Sequence, residues 1–382
     1  MLNNAMSKRY NRREFVLATG AAFAGGIITG LSGCKSPKPR HTTSSAVPVT
    51  GKVIDAHLHL DATTIDRCLT VMDQNHIHYG MNIGIGGEQF EAFQQAYQPY
   101  KDRLGMMYAF DWQSWQSDPD YLSKTPDLLE NAIEKGAHGV KIWKDLGLTV
   151  KDPNGDLVRI DDERLDPIWE RAEKIGCIVA FHTVDPVAFF EPWNEQNERW
   201  EELELHPDWS FADRTVYPTR DDVLEQRNNV IRAYPKVRFQ CVHGANYSEN
   251  LEVVDAWMDE MPNMYVDTSA RIGEFGRHSA EEGKAFFEKY QDRLMFGTDR
   301  VFRKDGEVQG AGPSKIFTRE EDQKFYNIHW RYFQSTDIQF EHPTPIQGSW
   351  KIDGIGLSEK ALTKLYWDNA FNLYGLDRFG VT

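Results

Sequence analysis

The sequence predicts an α/β fold, a (β/α)8 TIM barrel with insertions after its fifth and eighth strands. Three observations carry that expectation. From residue 51 onward, eight short apolar runs alternate with longer amphipathic stretches, the pattern of a parallel sheet covered by helices. Eight such units fit a closed barrel better than an open doubly wound sheet. No G-x-G-x-x-G follows the first run, so a dinucleotide fold lacks its main signature.

The first strand is KVIDAHLHL (52–60), followed by a helix near 64–75, HYGMNIGI (78–85), a helix near 88–99 and RLGMMYAF (103–110). A helix near 126–135 leads to HGVKIW (138–143), and one near 163–175 leads to CIVAFHT (177–183). VRFQCVHG (237–244), NMYVDTS (263–269) and RLMFGTD (293–299) complete the eight. Short runs of this kind between helical patterns read as buried strands. Two segments break the spacing: AFFEPWNEQNERWEELELHPDWSF (188–211), and an irregular stretch from about 300 to 356 that contains FYNIHWRYF and GSW. Both leave strand C-termini, the face on which barrels build sites. They are read as lids over a pocket, or as surfaces for contact in a homo-oligomer.

The 382 residues include 43 basic and 58 acidic side chains, for a net charge of -15. That balance argues against a nucleic-acid partner. Eleven tryptophans and 12% aromatic residues point to a packed core and a site for a small molecule. Cys34, Cys68, Cys177 and Cys241 form no C-x-x-C pair, so no disulfide framework is expected.

Residues 1–34 are set apart from the fold. NRREFVL (11–17) places twin arginines before a Gly- and Ala-rich apolar run that would span a membrane poorly, and the run ends in LSGC (31–34). This segment resembles a twin-arginine signal peptide ending in a bacterial lipobox. The resemblance implies lipidation of Cys34 and an exported protein, periplasmic or at the cell surface, anchored to a bacterial membrane only through its N-terminal lipid. Residues 35–50 are polar and rich in Pro, Ser and Thr, a flexible tether that leaves 51–382 as one metal-dependent domain.

Alternation along a strand points His57 and His59 to the same side, a two-toothed grip for a metal, with Asp55 just before it to orient an imidazole. His182, His243 and Asp299 end other strands, and Lys141 lies within a fourth. Imidazole and carboxylate suit Zn²⁺ and similar divalent ions. His76 and His78 form a second H-x-H, but they open their strand and so belong to the opposite face. His138 also precedes its strand, and His206, His278, His329 and His342 fall in loops or helical segments. Arg271, after the seventh strand, is placed either to bind a carboxylate or phosphate or to pair with Glu274. Trp143, Trp193 and Trp200 line the pocket or pack the core.

The order H-x-H, His, His, Asp on strands one, five, six and eight resembles the amidohydrolase superfamily. The ending LYWDNAFNLYGL (365–376) is similar to that of its amidohydrolase-2 branch, which includes the aminocarboxymuconate-semialdehyde decarboxylase-like enzymes. The likeness covers about residues 51–376. It implies that His57, His59, His182 and Asp299 bind one divalent metal, most often zinc, with His243 beside it as an acid/base or polarising group. In other branches a strand-four lysine is carboxylated and bridges two metals. Lys141 leaves that option open, with His182 and His243 then holding a second ion; an unmodified Lys141 would bind an anionic substrate group.

The expected chemistry is hydrolysis of an amide, ester or lactone-like bond in a small organic substrate by a metal-activated water, with Asp299 and His243 as catalytic residues. The alternative is non-oxidative decarboxylation on the same site. A non-catalytic surface lipoprotein that binds a ligand ranks third.

Overall fold

The computed structural model describes residues 51–382; the twin-arginine segment, Cys34 and the tether lie outside the described residues. Eight parallel strands pair in chain order: β1 (Ile54–Leu60), β2 (Tyr79–Ile85), β3 (Leu104–Ala109), β4 (Gly139–Ile142), β5 (Ile178–Phe181), β6 (Arg238–Cys241), β7 (Met264–Asp267) and β8 (Leu294–Met295). On the other edge of β1 lies β9 (Arg300–Arg303), parallel to it, followed by antiparallel β10 (Gly306–Val308). Among the described residues no helix is long and apolar enough to cross a membrane.

The architecture is TIM-barrel-like, but the expected closed barrel is not reached. β8 pairs with β7 through Leu294 and Met295, and no continuous ladder runs on from it to β1. The reason is local. Asp299 takes a left-handed backbone (φ 61), which kinks the chain between β8 and β9. Two single hydrogen bonds span the seam, from Ala56 N to the Phe296 carbonyl and from Asp299 N to the His57 carbonyl, each 2.9 Å. Asp55 clasps the same seam: its carboxylate accepts from Thr298 Oγ1 at 2.6 Å, from Thr298 N at 3.0 Å and from His57 N at 3.2 Å. Asp55 therefore holds backbone to backbone and does not orient an imidazole.

Helices cover the outside because each offers one apolar stripe. Asp166–Ile175 buries Ile168, Trp169 and Ala172, and it stops at Gly176, whose φ of 69 suits a residue without a Cβ. The 300–356 region is less irregular than expected. It holds the β9–β10 hairpin and a 16-residue helix, Arg319–Gln334, opened by a capping box between Thr318 and Glu321. That helix buries Phe325, Tyr326, Trp330 and Phe333 against the sheet's outer layer.

The hairpin and this helix are tied by buried charge. Arg300, fully buried, pairs with Glu307 and Asp322 at 2.5 Å each, and Arg67 caps both acids from outside. Removing one partner of such a network leaves the others desolvated and short of a counter-ion. Arg300→Ala should cost about 3–5 kcal/mol of stability, read from denaturant unfolding. A cost below about 1 kcal/mol, the worth of an exposed pair, would show that the network does not hold the insertion in place.

Candidate metal and acid-binding site

His57 and His59 project from the C-terminal half of β1 to one side, as the strand's alternation requires. The kink at Asp299 turns its carboxylate toward them. His57 Nε2 and His59 Nε2 lie 3.2 Å apart, and Asp299 Oδ1 stands 3.3 Å from the first and 3.2 Å from the second. Ligands bonded at about 2.0–2.1 Å to a single ion are roughly 2.8–3.0 Å apart if it is octahedral and roughly 3.3–3.4 Å apart if it is tetrahedral. The three donors therefore fit one divalent cation.

The wiring behind them fixes which nitrogen faces the cluster. His57 Nδ1 meets Asp267 Oδ2 at 3.2 Å; a carboxylate only accepts, so Nδ1 carries the proton and Nε2 presents its lone pair. Asp267 also accepts from Gln240 Nε2 at 2.9 Å and from His243 N at 2.9 Å. Burial favours its neutral form, but the His57 imidazole, the nearby His243 ring and the Ser269 hydroxyl outweigh it and hold the carboxyl far below its ordinary range. Burial also pushes His59 down to about 4, so this imidazole is neutral at pH 7 and free to act as a ligand. For Asp299 burial is again opposed and outweighed, here by His57 and His243, and the carboxylate stays ionised.

His243 joins the group more loosely: ligand atoms of His57, His243 and Asp299 lie within 4.8 Å of one another. Its Nδ1 donates to the Ser269 carbonyl at 3.0 Å, which leaves Nε2 free on the cavity side. His182 is not part of the tight triangle. Its Nε2 is held by Asp185 at 3.2 Å, its Nδ1 is buried without a partner, and its ring stands 4.4 Å from that of His243. Lys141 is fully buried with no hydrogen-bond partner at Nζ, 5.0 Å from the centroid of Trp143. Burial lowers its amine to about 8, against the pull of Asp267 and Asp299. It does not line the cavity.

The cluster opens into a cavity of about 720 Å³. Trp143 forms one wall, stacked on His59 with centroids 5.3 Å apart, and Gly84 makes room for it, since a Cβ there would come within 2.6 Å of the indole. Both insertions contribute, Phe189, Glu202, His206 and Trp209 from the first and Phe302 and Gln347 from the second. Trp193 and Trp200 pack on each other, their rings tilted by 45°, and neither is among the lining residues. Arg271 lines the cavity and is 6% exposed. It does not pair with Glu274, which is taken by Arg199; its one hydrogen bond runs from Nη1 to the Ala270 carbonyl at 2.9 Å.

Asp267 is absent from the sequence reading, as are Phe189, Glu202 and Trp209 of the first insertion; His206 is read there only as a loop histidine with a surface or lid role. Asp267 ends β7 as His243 follows β6, so the strand-end rule alone could have found it. His76 and His78 lie by a separate depression formed with Trp367 and the last residues of the chain, away from this cavity.

A family model described as Amidohydrolase matches residues 54–376. Comparison with curated proteins finds no match. Among solved structures, the chain is similar to 2,6-dihydroxybenzoate decarboxylase from Rhizobium, with a TM-score of 0.51, 15% identity, and coverage of 86% of this chain and 100% of that one. It is also similar to a dihydroxybenzoic acid decarboxylase from Polaromonas sp. JS666, solved with manganese and the inhibitor 2-nitroresorcinol, with a TM-score of 0.51, 14% identity, and coverage of 87% and 98%. At these identities the likeness speaks for the fold.

Elemental analysis should find about one divalent ion per chain, lost in His57→Ala/His59→Ala. Asp267→Ala should weaken metal binding about 10- to 100-fold in competition with a chelator, because His57 loses the group that orients it. Unchanged affinity would remove Asp267 from the support of the site.

Proposed function

The chain belongs to the amidohydrolase family, and on that premise we propose that it is a metal-dependent enzyme that removes carbon dioxide from a small, planar carboxylic acid. The observation that carries this reading is Arg271. Among the described residues its Nε and Nη2 have no partner, and they are not sealed from the cavity, so the edge of the guanidinium that matches a carboxylate is open beside the donor triangle. The aromatic walls of Trp143, Trp209 and Phe302 suit a flat substrate. The two solved decarboxylases compared above carry that chemistry on a similar fold.

His57, His59 and Asp299 would hold a divalent ion, which would supply positive charge to draw electron density from a substrate oxygen. We expect zinc for this donor set, and two ions if Lys141 is carboxylated. Arg271 binds and orients the acid. His243 Nε2 and the free oxygen of Asp299 are the cavity-facing atoms that can hold a proton and pass it to the carbon that bears the carboxylate. That C–C bond then breaks, its electron pair stays with the carbon, and carbon dioxide leaves; one proton enters for each carbon dioxide released. This reverses the order expected from sequence, which put hydrolysis first. Hydrolysis remains the second reading, supported by the same free oxygen of Asp299, which could take a proton from an attacking water.

The N-terminal residues support a location outside the cytoplasm. We place the protein in the periplasm or at the cell surface, exported through the twin-arginine route and lipidated at Cys34.

Isotopes separate the two chemistries. With a panel of hydroxybenzoates and related acids in D₂O and H₂¹⁸O, decarboxylation should place one solvent deuterium on the product carbon and no solvent oxygen in the product. Solvent ¹⁸O incorporation without carbon dioxide would overturn it in favour of hydrolysis. Asp299→Asn should slow turnover by at least about 10²-fold. In the native host, Cys34→Ala should move the protein from the membrane to the soluble fraction; retention on the membrane would sink the anchor.

A further inference from the structure

The NERWEEL segment of the first insertion plays no part in the reading above, yet it places a buried acid on the cavity wall. Glu202 is 2% exposed and lines the cavity. Its Oε2 accepts from Arg199 Nη1 at 2.7 Å. Arg199 is fully buried and also pairs with Glu274, so one guanidinium serves two buried carboxylates. Oε1 of Glu202 has no partner among the described residues and is not one of the buried atoms sealed from the cavity, so it faces the cavity that Glu202 lines. Arg271 is its counterpart of opposite polarity, a donor edge open to the same space.

A carboxylate oxygen that has lost most of its water and found no donor is costly, and a ligand O–H or N–H that reaches it recovers that cost. Arg271 can only donate and ionised Glu202 can only accept, so the two anchors ask for different groups on one molecule. We infer that Glu202 is a recognition residue for a hydroxyl or amino group, so that the acid taken by this site bears such a donor in addition to the carboxylate held by Arg271. This rests on the acid-binding reading above and narrows it. A second carboxylate in that position would meet the Glu202 charge and be rejected, and an ether or methyl group would leave Oε1 unpaired.

The test is equilibrium binding to the full, metal-loaded chain. Benzoate is compared with the 2-, 3- and 4-hydroxybenzoates, the aminobenzoates and their methoxy counterparts. At one ring position the hydroxy or amino acid should bind about 10- to 100-fold more tightly than the methoxy acid, the span expected for a hydrogen bond to a charged group. Glu202→Gln should shrink that gap to a few-fold, whereas Arg271→Met should weaken every acid alike. Equal binding of hydroxy and methoxy acids at all positions in the wild type would overturn the inference without recourse to any variant, and so would a gap that survives in Glu202→Gln. If the discrimination is present but no acid loses carbon dioxide, Glu202 keeps its role and the decarboxylase reading fails. Failure of all the acids to bind would overturn both.

Discussion

The candidate site exists because one run of chain, residues 294–303, serves two neighbours. It pairs with β7 through Leu294 and Met295, kinks at Asp299, and then pairs with β1 through Arg300 to Phe302. A regular ladder along this run would leave the Asp299 side chain subject to the plain alternation of a strand. The left-handed kink aims its carboxylate at the two imidazoles of β1 instead. Asp55 and Thr298 pin the crossing point, so the geometry of the donor triangle is set by backbone fixed on both sides.

Strain is concentrated where the chemistry is. His243, Ala245, Asn246, Ala270 and Asp299 all have positive φ, and all lie just past the ends of β6, β7 or β8. Side chains with a Cβ adopt this conformation at a cost of order 1–3 kcal/mol each and persist there only when their surroundings hold them. Here the surroundings are specific. Asp267 accepts from the His243 backbone, and Arg227, wholly buried, donates to the Ala245 carbonyl at 2.7 Å. Lys141 stands close to this rim, its Nζ 5.0 Å from the Trp143 centroid, and is not among the residues that line the cavity.

Most of the sheet was legible in the sequence, since each strand is an apolar run of the expected length. So were the β1 imidazoles and Asp299, because position at a strand end is a geometric statement. Three features were harder to read. Whether the sheet closes depends on one backbone torsion at Asp299, which no side-chain pattern encodes. The helix Arg319–Gln334 opens with four charged residues and carries its apolar face as aromatics, so its stripe looks irregular, although the Thr318–Glu321 capping box was there to be read. Of the two readings open for Arg271, pairing with Glu274 rested on proximity in sequence alone, whereas in space the first insertion brings Arg199 to that acid. For the same reason Glu202 and Trp209 went unnoticed: their role appears only when an insertion folds back over strands far from it in the chain.

The seam also orders events in time. The clasp between Asp55 and Thr298 joins residues 243 positions apart, and contacts of such separation form late because so much chain must be brought together first. Until residues 294–303 have been synthesised and docked, β1 offers only an H-x-H pair on an open edge, with neither Asp299 nor Asp267 beside it. A divalent ion therefore meets its full donor set only in a chain that has finished folding. An ion held by this donor set would be taken up by the completed molecule, from whatever the compartment in which folding ends supplies.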